Sequence, residues 1–178
     1  MSADPEMLHP FTRDDNLFED FTVGETIVHP RGRTISDAEH MMWTNVVLNT
    51  AQLHFNQKMC DDSPETTFNG RRVVYGGIVF AFVAGLASEE TEENAVCILC
   101  YDEGRHLNPV FAGDTLFAES TVLAKSDDDP RIARCGAPGL APGKAGVVKF
   151  LLRGLNQRGE VVLEITRELV ILKKAHRP

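Results

Sequence analysis

Residues 48 to 56 read L-N-T-A-Q-L-H-F-N, which places His54 five positions after Asn49. An imidazole titrates close to neutral pH, so it can take up a proton in one step and return it in the next. Asn49 cannot ionise there, but its amide can hydrogen-bond a water or orient the ring. Further on, Gly76 and Gly77 stand at the head of the apolar run Ile78 to Ser88. The first four N–H groups of a helix lack intrahelical partners and carry partial positive charge, so an anionic oxygen can be held there. Glycine is equally the default residue of a strained turn, and the pair reads either way. Cys97 and Cys100 form a C-x-x-C inside A-V-C-I-L-C-Y, a strand-like stretch on which residues three apart face opposite ways. No second pair completes a zinc set, so both cysteines read as buried structural thiols. His29 and His40 have no partner at metal-ligand spacing, and His40 is expected to face solvent. No metal is assigned.

The elements that must position these groups follow from local patterns. Ser36-Asp37-Ala38-Glu39 is a capping box and should start a helix that ends near Asn49 or Thr50. Its recurring positions (Ala38, Met41, Met42, Asn45, Val46, Asn49) make one face, with Met41, Met42 and Trp43 as packing residues. His54 then lies at or just past the helix exit. Cys60 to Gly70 is polar with Pro and Gly and reads as a loop. The helix from Ile78 to Ser88 is apolar all round and should be buried on all sides. Strands are expected over Glu25 to Thr34, Ala95 to Tyr101, Asp114 to Lys125, Val147 to Gly154 and Glu160 to Lys173. The last two are joined by the hairpin loop L-N-Q-R-G. In the third of these, Leu116, Ala118, Ser120 and Val122 share a side. Asp127 to Gly146 is Pro/Gly-rich and reads as a long mobile excursion. Residues 1 to 16 read as a flexible arm and 17 to 178 as one domain. A half-exposed antiparallel sheet needs a cover, and the apolar helix is the natural one. The fold class is therefore α+β, with an antiparallel sheet wrapped around one buried helix and an edge that invites dimerisation.

With 178 residues, 43% hydrophobic, the chain suits one good core. The net charge of −8 argues against non-specific binding to nucleic acid or anionic membrane. A polyanionic small molecule would need a local cluster of Arg or Lys. No stretch approaches the ~20 apolar residues of a membrane span, and the N-terminus has no secretory pattern. A cytoplasmic protein is expected.

Five segments then carry a resemblance: F-E-D-F-T-V-G, R-T-I-S-D-A-E-H, L-N-T-A-Q-L-H-F-N, V-V-Y-G-G-I and P-V-F-A-G-D-T-L. In this order and spacing the chain resembles the MaoC-like hydratase/dehydratase family from about Leu17 to the C-terminus, and within it the mesaconyl-CoA hydratase type. That family has the hotdog fold and acts on acyl-CoA thioesters. Its hydratase motif has the shape G-D-x-N-P-x-H. His54 falls on the histidine, Asn49 on the aspartate, Ala51 on the asparagine and Gln52 on the proline. The histidine is kept and the carboxylate is missing. Gly76 falls on the glycine whose N–H is the family's oxyanion donor.

The resemblance implies reversible addition of water to a 2,3-unsaturated acyl-CoA, with a short branched or dicarboxylic acyl group such as mesaconyl. Coenzyme A would be part of the substrate and no separate cofactor is implied. His54 would move the proton, Asn49 hold the water, and Gly76 with Gly77 stabilise the enolate-like oxygen. Tyr75 either lines the acyl pocket or simply packs. Arg71-Arg72, or Arg31 with Arg33, could meet the coenzyme phosphates, although a surface Arg pair is more often solvated. Arg105 aligns with a common family arginine whose role could be structural. A homodimer is expected. Two other functions stay open: a non-catalytic acyl-CoA-binding hotdog protein, which Asn49 keeps alive, and a hotdog thioesterase. The absence of a carboxylate in V-Y-G-G-I-V-F-A-F-V-A counts against the thioesterase.

Overall fold

In a computed structural model, residues 16–136, 140–141 and 143–176 are described. The expected N-terminal arm lies outside them except for Asn16, whose side chain donates to the Glu89 carbonyl (3.2 Å). Alternating apolar residues build five antiparallel strands: β1 (Thr26–Thr34), β2 (Ala95–His106), β3 (Thr115–Ser126), β4 (Ala145–Leu155) and β5 (Val161–Leu172). They lie in the order β1-β3-β4-β5-β2, which leaves β1 and β2 as edges. Among the described residues three α-helices accompany the sheet: α1 (Asp37–Val46), α2 (Gln57–Asp62) and α3 (Gly76–Thr91). The sheet curls round α3, giving the single hotdog fold.

The core forms where α3 meets the sheet. Ile78, Val79, Val83 and Ala87 of α3 pack against Leu116 and Ala118 of β3, Leu152 of β4 and Leu163 of β5. Leu116, Ala118, Ser120 and Val122 all point inward, as their alternation requires. Gly154 of β4 faces Val83 so closely that a Cβ there would collide with its methyl groups. A second apolar cluster, built on Phe18, Phe21, Val122 and Phe150, closes the far end of the sheet.

Several local expectations are overturned. α3 is not buried on all sides: Ala81 and Gly85 are exposed and Phe82 is half-buried. One sheet covers only one flank of a helix. The face of α1 is also displaced. Ser36 caps it through the full capping box, but the inward residues are His40 and Thr44, whereas Met42 (56% exposed), Trp43 (39%) and Val46 (68%) look outward. Periodicity says which positions share a face but not which face meets the core. β2 runs five residues beyond Tyr101, to His106.

The cysteines differ from expectation as well. Cys97 is disulfide-bonded to Cys135 (Cα–Cα 6.2 Å), while Cys60 and Cys100 are free. The bond ties the excursion after β3 to edge strand β2. That excursion contains a 3-10 turn, Pro130–Cys135, whose Arg131 N–H donates to the Asp129 side chain. Residues 137–139 and 142 lie outside the description.

Several polar side chains are sealed inside. Arg167 of β5 is fully buried; it pairs with Glu92 and donates to Thr91 Oγ1 (2.6 Å) at the end of α3. His29 lies within β1, with Nδ1 2.7 Å from Glu90 Oε2 and Nε2 2.9 Å from Ser120 Oγ. A serine, a histidine and a glutamate in that chain resemble a nucleophilic triad. Ser120 and His29 are nevertheless 0% and 1% exposed, so no substrate can reach the hydroxyl and the cluster is structural. His40, expected at the surface, is fully buried, and neither ring nitrogen has a hydrogen-bond partner among the described residues.

Burial lowers the pKa of both His29 and His40, against opposing contributions from Glu90 and Asp37. A histidine whose folded pKa lies below its unfolded value of about 6.5 leaves stability intact above that pH. It withdraws stability as the pH falls below it, because only the unfolded chain then takes the proton. The urea midpoint is therefore expected to drop between pH 7 and pH 5. His40→Leu should reduce this slope by up to one proton, about 1.4 kcal/mol per pH unit, while leaving stability at pH 8 unchanged or raised. An unaltered slope in denaturation curves would show that His40 is not part of the effect.

Candidate active site

The segment carrying His54 is shaped by α1's exit. Val47 and Leu48 donate to the carbonyls of Trp43 and Asn45, and Leu48 takes a left-handed conformation (φ 54°). A leucine there costs about 1–2 kcal/mol relative to glycine, and the neighbouring bonds hold it. Asn49 Oδ1 then accepts from the Ala51 N–H (2.8 Å), closing a side-chain turn. A 3-10 turn, Gln52–His54, follows, and Asn56 caps α2 behind it by accepting from the Met59 N–H (3.1 Å). The imidazole thus projects from a short, doubly capped corner.

His54 Nδ1 lies 2.8 Å from the Val73 carbonyl oxygen. A carbonyl can only accept, so Nδ1 carries a proton, and in the neutral ring Nε2 keeps its lone pair. The Tyr75 ring meets the imidazole edge to face, with centroids 5.7 Å apart. The segment from Val73 to Tyr75 therefore sets both the tautomer and the tilt of the ring. It is fixed in turn by the Val74 N–H donating to Val110 (2.8 Å).

A cleft of about 370 Å³ opens between these walls. His54, Gly76 and His106 line it, with apolar sides from Phe68, Val79 and Val110. Gly76 and Gly77 open α3, and no side chain caps that end, so their N–H groups are among those without intrahelical partners. Neither glycine has a positive φ; space explains them. A Cβ on Gly77 would strike the Tyr75 ring, and one on Gly76 would stand 2.6 Å from His106 Nε2.

The expected site residues are only partly brought together. His54 and Gly76 share the cleft, Tyr75 packs on His54, and Gly77 lies under the Tyr75 ring. Asn49 is not among the cleft-lining residues; its oxygen is turned into its own loop. Arg71 stacks on Phe111 (3.6 Å) and makes no ion pair among the described residues. Arg72 pairs with Asp37 (2.6 Å). Both line a shallow depression of about 200 Å³ together with Phe111 and Ala112. Arg31 lies elsewhere, beside Gly85 and Phe82 on the open flank of α3, and pairs with Glu89 (3.4 Å). Arg105 stands in β2 opposite Glu164. Among the described residues no group of three or more His, Cys, Asp and Glu could hold a metal, and no helix is long and apolar enough to cross a membrane.

His106 is the site residue that sequence reasoning missed. It ends β2, opposite Leu163, and the next amide, of Leu107, donates to Val162 (3.0 Å). With the strand expected to stop at Tyr101, nothing aimed His106 at the helix start.

Comparisons with known proteins agree with this architecture. Residues 26–173 match the family model described as mesaconyl-CoA hydratase. The chain is 34% identical over 163 residues to a mesaconyl-CoA hydratase of Cereibacter sphaeroides, covering 92% of this chain and 43% of that protein. It is 45% identical over 109 residues to a beta-methylmalyl-CoA dehydratase of Chloroflexus aurantiacus, covering 61% and 30%. A solved MaoC domain protein from Chloroflexus aurantiacus superposes with a TM-score of 0.71 at 32% identity, covering 88% and 44%. The chain thus spans less than half the length of each of these relatives. With one family model matching from β1 to beyond β5, and the hotdog sheet in place around α3, the chain belongs to the mesaconyl-CoA hydratase family of MaoC-like hotdog proteins.

Proposed function

We propose that this protein is an acyl-CoA hydratase/dehydratase that reversibly adds water across the 2,3 double bond of a short, branched or dicarboxylic enoyl-CoA such as mesaconyl-CoA. The observation that carries the reading is the presence in one cleft of an imidazole whose Nδ1 is held by a carbonyl, leaving Nε2 for the reaction, and a helix-start amide without an intrahelical partner. His54 Nε2 takes a proton from water as its oxygen attacks C3. Charge moves to the thioester oxygen, where the Gly76 N–H receives it, with Gly77 next in line. Tyr75 holds the His54 ring at its working angle. The apolar walls suit a small acyl group, and Arg71, stacked and free of carboxylates among the described residues, is the best placed of the arginines to meet a coenzyme phosphate. Arg72, already paired with Asp37, is second to it, and Arg31 belongs to another surface. Asn49 acts by shaping the loop that presents His54. The reading includes a cytoplasmic homodimer, with a second copy of the chain pairing along an open sheet edge.

The reading is tested by following the enoyl-thioester absorbance with crotonyl-, mesaconyl- and itaconyl-CoA. Loss of absorbance with one of them, without release of free thiol, is the expected result. Thiol release would instead indicate a thioesterase. One observation favours a second reading, an acyl-CoA-binding protein without turnover: the family carboxylate is replaced by Asn49, and that side chain is committed to Ala51. Saturable binding of crotonyl-CoA with no absorbance change would establish it.

A further inference from the structure

The proposed reaction moves two protons. One belongs to the oxygen at C3 and the other to carbon C2. His54 accounts for the first, and Asn49, standing where the family carries a carboxylate, cannot supply the second. We propose that His106 is the acid/base that exchanges the C2 proton, making this a two-histidine site; the proposal rests on the hydratase reading above.

The geometry is specific. His106 lines the same cleft as His54 and Gly76. Its Nε2 lies 2.6 Å from the point where a Cβ of Gly76 would be, so the ring stands against the start of α3 only because residue 76 has no side chain. The amide that would hold the thioester oxygen and the imidazole edge are therefore immediate neighbours. C2 is bonded to the carbonyl carbon, whereas C3 is one atom further away. The histidine beside Gly76 consequently serves C2, which leaves C3 to His54. His106 is also held in position, since β2 is paired with β5 up to and including this residue.

In the dehydration direction the step balances as follows. Neutral His106 takes the proton from C2, and the C–H pair becomes the C1=C2 bond of an enolate whose oxygen the Gly76 N–H receives. The enolate collapses, the C3–O bond breaks, and the departing oxygen takes a proton from the His54 imidazolium to leave as water. His106 ends protonated and His54 neutral, and exchange with solvent restores both. Hydration is the reverse. In the dehydration direction the role needs a neutral His106. Although part of the ring is exposed, the surrounding walls lower its pKa below the ordinary histidine value, in agreement with that need.

The test is His106→Phe, which keeps a planar ring and removes the nitrogens, together with His106→Asn. Both are assayed on whichever thioester the wild type turns over, after thermal melts have shown that they fold. A fall of about 10² to 10⁴ in kcat is expected, with KM little changed. In the wild type, kcat/KM for dehydration should fall on the acid side, below the ordinary histidine range, as His106 takes up a proton. That acid limb should be absent in His106→Phe. A merely structural role would lower the whole profile without removing one limb. Variant rates within about threefold of wild type and an unchanged profile would overturn the proposal and leave the hydratase reading standing. Should neither variant fold, a wild-type dehydration profile without an acid limb would overturn it equally. A wild type that converts none of the thioesters would overturn both.

Discussion

His54→Ala is expected to lower kcat for enoyl-CoA hydration by about 10² to 10⁴-fold, with KM changed far less. The split follows from what the residue does. Its Nδ1–H is occupied with the Val73 carbonyl, so only Nε2 faces the reaction, and its largest effect comes while a proton is in transit. In the proposed reaction, ground-state binding would instead rest on the apolar walls and on Arg71, which the substitution leaves in place. The substitution also frees the Val73 carbonyl, which costs about 1 kcal/mol of stability and no more, because this region is only partly buried. A thermal melt separates that loss from the chemical one. Steady-state kinetics on the thioester that the wild type converts will decide the matter. Retention of more than about a third of the wild-type rate would remove His54 from the mechanism.

The second large effect concerns stability. Arg167→Met should destabilise the fold by about 3 kcal/mol, the lower end of the range for removing one member of a buried ion pair. For a chain of this length that corresponds to roughly 6–12 °C in Tm. Arg167 is fully buried beneath the end of α3, paired with Glu92, bonded to Thr91 Oγ1 and set near the Phe150 ring. Burial pushes its pKa down while Glu92 and Tyr101 push it up, and a guanidinium stays charged under that opposition. A positive charge at a helix C-terminus also satisfies the carbonyl end of the dipole. Methionine fills the volume but leaves Glu92 and the Thr91 hydroxyl without this partner. Glu92 keeps some contact with solvent, which holds the loss near the lower bound. The double variant Arg167→Met/Glu92→Gln should recover part of it, because the uncompensated charge is then gone. Melting by circular dichroism checks both; a single variant within about 2 °C of wild type would mean that the pair contributes little.

The positions that local physics controls were legible from residue order alone. Ser36 and Glu39 form their reciprocal cap because both partners lie within four residues of each other. β3 turns Leu116, Ala118, Ser120 and Val122 inward because strand side chains alternate by covalent geometry. The long apolar run had to become the helix that covers the sheet, and His54 could be singled out because its motif is contiguous.

What the residue order did not contain were the meetings between distant segments. Whether α1 shows the core its methionines or His40 depends on the wall it lands against. Whether Cys97 remains a thiol depends on a cysteine that folding brings to β2 from 38 positions away. Arg167 interrupts an apolar face for a reason visible only once Glu92 is beneath it. The clearest case is Gly76. Its missing side chain could be read as a turn or an oxyanion site, but the close approach of His106, thirty residues later in the sequence, is set by the pairing of β2 with β5. Periodicity is a property of neighbours along a chain, whereas a cleft belongs to neighbours in space, and only the folded sheet determines which those are.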